Sequence, residues 1–116
     1  VGGNHTFPRG QRLRLNREFQ QVYRQGKRRH GKGFSIITTP NSLHIRRMGI
    51  SVQRKVGTAV RRNRIKRLFR EVFRLHQEQF PRASDIVITV RPDFCFDTLM
   101  VLEQEVARVL QQGGTA

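Results

Sequence analysis

The sequence predicts a single α+β domain, one small mixed β-sheet with helices packed against it, in the order α-β-β-(β)-α-β-α. Three observations carry that expectation. The chain has 116 residues, which suits one domain and leaves no room for a second. Runs rich in β-branched and aromatic residues at 34–39, 44–53 and 85–90 alternate with stretches whose apolar residues recur at helical spacing. Eight Leu, seven Ile, eleven Val and eight Phe supply a core, though a small one.

Residues 1–15 hold Gly, Arg and Pro without a period and are expected to form a flexible basic arm ahead of a domain at 16–112. Asn16 is placed as an N-cap; Phe19, Val22 and Tyr23 then recur at i, i+3, i+4 until Gly26 stops the helix. Lys27 to Gly33 reads as a basic, glycine-punctuated loop. Phe34–Thr39 is a strand ended by the turn residues Pro40, Asn41 and Ser42. In 44–53, Met48, Ile50 and Val52 alternate with Arg47, Gly49 and Ser51, which suggests an antiparallel hairpin with the preceding strand. Thr58 opens the longest helix, which runs to about His76 ahead of Pro81. A buried strand spans 85–90. Asp97 or Thr98 then caps a last helix with a stripe of Leu99, Leu102, Val106, Val109 and Leu110, and 113–116 is a tail.

The charge is distributed as unevenly as it is large. There are 23 basic and 8 acidic residues, a formal net charge of +15. Residues 1–74 carry 20 of the basic side chains and only Glu18 and Glu71 among the acids, so the first two thirds should present a face to a polyanion. The long helix concentrates this. With Ile65 at 0° and about 100° per residue, Leu68, Phe69, Val72 and Phe73 fall within roughly −60° to +80°. Asn63, Arg64, Lys66, Arg67, Arg70 and Arg74 occupy the opposite side. Only Glu71 relieves the like-charge repulsion, so a bound polyanion would stabilise this helix. Arg61 and Arg62 project from its first turn, where free N–H groups also favour phosphate.

Several function classes find no support. The histidines His5, His30, His44 and His76 and the single cysteine, Cys95, show no metal-ligand spacing. No nucleophile–base set, carboxylate pair or glycine-rich phosphate loop is present, and no apolar run approaches a membrane span. A reduced, cytoplasmic protein without catalytic residues of its own is expected, binding nucleic acid rather than membrane.

Gly49-Ile50-Ser51-Val52, leading through Arg54-Lys55-Val56-Gly57-Thr58-Ala59-Val60 into Arg62-Asn63-Arg64-Ile65-Lys66-Arg67-Leu68, resembles the signature of the bacterial ribonuclease P protein subunit. The resemblance runs from about Arg12 to Leu110. It implies a left-handed β-α-β crossover and a partner RNA subunit that, with magnesium ions bound mainly by that RNA, removes the 5′ leader from precursor tRNA. It implies no membrane and no obligate protein partner. It assigns Arg62, Asn63, Arg64, Lys66, Arg67 and Arg70 to the catalytic RNA, with Arg54, Lys55 and Arg61 beside them. The single-stranded leader would lie in a cleft walled by Phe19, Tyr23, Ser35, Ile37 and Ser51 and flanked by Arg47.

The residues themselves leave alternatives open. Phe19 and Tyr23 sit one turn apart and could stack on unpaired bases, or could be core. Arg47, Arg54 and Lys55 could bind phosphates, or be solvated charge. A structural RNA-binding protein without a role in turnover would use the same basic helix. A duplex-DNA binder fits less well, since the helix offers many phosphate contacts and little to read bases.

Overall fold

A computed structural model describes residues 9–113. Helix α1, Asn16–Gln25, starts one residue earlier than expected, with Asn16 inside the helix and not at its cap. Leu15 holds the N-cap position, and the Glu18 carboxylate accepts from the N–H groups of Leu15 (3.1 Å) and Arg14 (3.2 Å). Gly26 ends the helix in an extended conformation, φ −80°, so its role is space rather than a left-handed turn. A Cβ there would lie 2.6 Å from both Ile37 Cγ2 and the Val22 carbonyl.

The chain passes directly from Gly26 into a strand, which corrects the expected loop at 27–33. Strand β1, Lys27–Gly31, pairs antiparallel with β2, Phe34–Pro40, across a tight turn that holds Gly33 at φ +76°. A sequence of Lys, Arg, Arg and His makes a strand because β1 is an edge, where charge is tolerated and discourages further pairing.

The expected hairpin between 34–39 and 44–53 does not form. Strand β3, Arg47–Val52, and β4, Ser84–Val90, complete a mixed sheet of order β1-β2-β4-β3. Strand β4 lies between the other two, antiparallel to β2 and parallel to β3. The central places go to the two most apolar strands. Every residue of β2 from Phe34 to Thr39 is buried, as are Ile86, Val87, Ile88 and Val90 of β4.

Parallel pairing of β3 and β4 requires a crossover, and α2, Ala59–Leu75, supplies it. Its N-cap is Thr58, as the sequence predicts, with Oγ1 accepting from Arg61 N at 3.2 Å. Ile65, Phe69, Val72 and Phe73 are buried against one sheet face, with α3, Leu99–Leu110, beside them through Leu102, Val106 and Val109. The other face carries only a small cluster of Leu13, Val22, Ile37 and Val87, roofed by α1. Part of that face is therefore left open.

The described part of the N-terminal arm, from residue 9, is docked rather than loose. Arg9–Gln11 forms a turn of 3-10 helix, Leu13 is buried, and Leu13 N donates to the Met48 carbonyl at 3.0 Å. The unpaired edge of β3 captures this segment. Residues 1–8 of the expected arm and 114–116 of the expected tail lie outside the described residues. No helix among the described residues is long and apolar enough to cross a membrane.

Candidate nucleic-acid interface

Because α1 packs over β2 and β4, the same face of β3 stays uncovered between α1 and α2. A groove of about 450 Å³ lies there, with Phe19 and Tyr23 on one wall, Ser51 on the floor and Lys66 on the other wall. It runs on into a second hollow of about 350 Å³ lined by Arg12, Arg14, Phe19, Gly49 and Arg70. Phe19 and Tyr23 pack against the small core and also line the groove. The Tyr23 hydroxyl lies 3.3 Å from Thr89 Oγ1, and the Arg28 guanidinium sits 5.9 Å from its ring centroid.

Three expected cleft residues are placed otherwise. Ile37 is fully buried under α1. Ser35 is 3% exposed, its hydroxyl lying 3.2 Å from His30 Nδ1 and accepting from Arg91 Nη1 at 2.7 Å. Strand alternation puts both residues on the correct face, but β2 is central and that face is covered there. Arg47 is the third. Its guanidinium grips Asp85 through two bonds of 2.9 and 2.8 Å and Glu18 through one of 2.9 Å, so it ties α1 to the sheet instead of offering a charge to phosphate.

That tether gives a pH prediction. Burial works to raise the Glu18 carboxyl, but the N–H groups of Leu15 and Arg14 and the Arg47 guanidinium outweigh it and hold the group below its usual range. A depressed folded-state value means the stabilisation is complete above the ordinary Glu range, about 4.3, and is lost as pH falls through the folded value. Glu18→Gln should therefore cost about 1 kcal/mol or less at pH 7, given partial exposure, and the urea midpoints of variant and parent should converge below pH 4. A constant gap down to pH 3 would assign the tether to other contacts.

The cationic side chains of α2 divide by what they already do. Arg61 donates to the carbonyls of Val56 (3.2 Å) and Phe94 (3.1 Å), and Arg62 to that of Gly57 (3.2 Å), so both also brace the start of the helix. Arg54 and Lys55, in the 3-10 turn that precedes α2, are exposed, as are Asn63, Arg64, Arg67 and Arg70 on the helix, while Lys66 is half-buried at the groove. Incomplete solvation of its guanidinium, then the neighbouring Arg12 and Arg67, lower the proton affinity of Arg70, so positive charge is crowded beside it. Arg12 and Arg14 belong to this surface, although their place in an aperiodic segment hid them from sequence analysis. Thr89, Arg28 and Arg91 were also missed; only their strand register brings them near Tyr23 and Ser35.

Among the described residues, no group of three His, Cys, Asp or Glu side chains could hold a metal ion. Five carboxylates among the described residues are paired with arginines: Glu18 and Asp85 with Arg47, Glu71 with Arg74, Asp93 with Arg91, and Glu105 with Arg108. These side chains do not suit a magnesium site within the protein.

A small α+β domain with an aromatic-walled groove running into a cationic helix defines an RNA-binding protein of the kind that works inside a ribonucleoprotein. A model of the ribonuclease P family matches residues 7–113, and the chain belongs to that family. It is 47% identical to the ribonuclease P protein component of Desulfotalea psychrophila over 102 residues, covering 88% of this chain and 85% of that one. It is 37% identical to that of Syntrophus aciditrophicus over 115 residues, covering 92% and 97%. The fold matches the ribonuclease P protein structure from Staphylococcus aureus with a TM-score of 0.78 at 33% identity, covering 87% and 93% of the two chains. The structure from Thermotoga maritima matches at 0.76 and 33%, covering 86% and 94%.

Proposed function

We propose that this chain is the non-catalytic protein subunit of a ribonuclease P. In this reading α2 docks on the catalytic RNA, and the groove holds the unpaired 5′ leader of precursor tRNA. One observation carries it: Lys66 and Arg70 of the cationic helix line the same continuous groove as Phe19 and Tyr23. A single strand lying there stacks bases on the α1 wall while its phosphates face α2. The polypeptide neutralises repulsion between two RNAs and orients the substrate. Magnesium, held by the RNA, supplies charge stabilisation at the phosphate. The site of action is the cytoplasm.

Single-turnover cleavage of a leader-bearing precursor tRNA by a bacterial catalytic RNA, at low magnesium, tests this. Strong stimulation by the chain, with no cleavage by the chain alone, is expected. Absence of stimulation despite tight RNA binding would leave a purely structural RNA-binding protein. Annealing a complementary oligonucleotide to the leader should weaken substrate binding by the holoenzyme, whereas equal affinity for paired and unpaired leaders would remove the leader from the groove.

A further inference from the structure

Helix α2 has two flanks beside its buried stripe, and the leader groove uses one of them. On the other flank, α2 and the segment 94–97 enclose a pocket of about 230 Å³. Its apolar walls are Val60, Ile65, Leu68 and Phe96, and Arg64 and Asp97 stand at its polar side. Arg64 and Leu68 also border an adjoining hollow of about 270 Å³ that reaches Arg67 and Leu99. The walls are fixed in place. Arg61 bonds helix and loop together through the carbonyls of Val56 and Phe94, and the Phe96 ring packs edge-on against Phe94 at 5.5 Å. Val60, at 80% exposure, is the most exposed large apolar side chain among the described residues, and it stands in the first turn of a strongly cationic helix.

Neither half of this site is satisfied by a simple ligand. Arg64 and Arg67 face no carboxylate within 4 Å among the described residues, and Glu71 is taken by Arg74. A bare anion would serve the arginines and leave the apolar walls in water. An apolar group would leave the charges unanswered. An unpaired nucleotide has a flat face for Phe96 and Leu68, phosphates for Arg64 and Arg67, and ring N–H donors for the Asp97 carboxylate. A duplex could not enter, because its bases are stacked within it.

We infer that this pocket takes one unstacked nucleotide of the partner RNA, with its base against Phe96. The inference rests on the reading that α2 docks on RNA, and it adds a base contact to an interface otherwise made with phosphates.

The test compares Phe96→Leu, which keeps apolar volume and removes the ring, with Arg64→Gln, in binding a bacterial ribonuclease P RNA across a salt series. Phe96→Leu should weaken binding about 10-fold, within the range that base–aromatic stacking supplies, with an unchanged slope of log affinity against log salt. Arg64→Gln should lower that slope by about 0.7–0.9. Unchanged affinity of a folded Phe96→Leu chain would overturn the pocket alone, while a parent chain that fails to bind the RNA would overturn the docking reading as well.

Should Phe96→Leu not fold, a photo-cross-linking residue, p-benzoylphenylalanine, at the exposed position 60 decides. Cross-linking to one unpaired nucleotide is expected. Cross-links scattered over duplex, or joining two copies of this chain, would overturn the inference.

Discussion

Replacing Arg62, Arg64 and Arg67 together by Gln should weaken binding to ribonuclease P RNA about 100-fold near 0.1 M salt and lower the salt slope by about 2.7. Each neutralised phosphate in a helical region releases counterions worth about 0.9 of slope, and the three side chains occupy the exposed side of one helix. The fold should not suffer. Among the described residues none of the three faces a carboxylate within 4 Å, and the only side-chain hydrogen bond the set makes there is from Arg62 to the Gly57 carbonyl. Melting temperature should hold or rise, because Arg67 is among the charges that crowd Arg70. Arg61 is left in place deliberately, since its two bonds to Val56 and Phe94 would confound binding with folding. Filter binding or fluorescence anisotropy across a salt series reads the slope directly. An unchanged slope in a folded triple variant would move the RNA interface to another face.

What could be foreseen from sequence follows a physical division. Helix α2 was legible in full, because a Thr58 cap, a five-residue apolar stripe and an opposing cationic side are all local signals. The partnership of strands was not. Proximity in sequence favoured pairing β3 with β2, while the sheet places β4 between them to bury its Ile and Val residues on both faces. Strand β1 escaped notice because an edge strand need not alternate apolar and polar side chains. Alternation likewise gave Ser35 and Ile37 the right face, but coverage by neighbouring elements is not written in a strand's own pattern. Arg47 shows the same limit in electrostatics. Its two acids stand at positions 18 and 85, and only the docking of α1 on the sheet brings them together. Phe19 and Tyr23 were legible as a pair through their spacing, and the cations opposite them on α2 through its periodicity. That both line one groove is a property of the crossover.

Gly49→Val should destabilise the chain by about 2–3 kcal/mol and, in what remains folded, weaken the preference for leader-bearing substrate more than the affinity for the catalytic RNA. The strand itself would accept valine, whose branched side chain suits extended backbone. The obstacle lies above it. A Cβ at position 49 would stand 2.4 Å from Phe19 Cζ, 2.8 Å from Phe19 Cε1 and 2.9 Å from Leu13 Cβ. Leu13 is held from behind by its N–H bond to the Met48 carbonyl, so the Phe19 ring must yield. Overpacking of this kind costs about 1–3 kcal/mol, and valine adds two methyl groups to the first contact. A displaced Phe19 ring has only the groove to enter, so the variant narrows the leader path from its own wall. The Arg-rich side of α2 is not involved, and its contact with RNA should persist. Thermal unfolding gives the stability. Binding of precursor tRNAs with and without a leader to the reconstituted holoenzyme gives the selectivity. Destabilisation with selectivity intact would show that the Phe19 wall is structural only, and that the leader is held by Tyr23 and the cations beyond it.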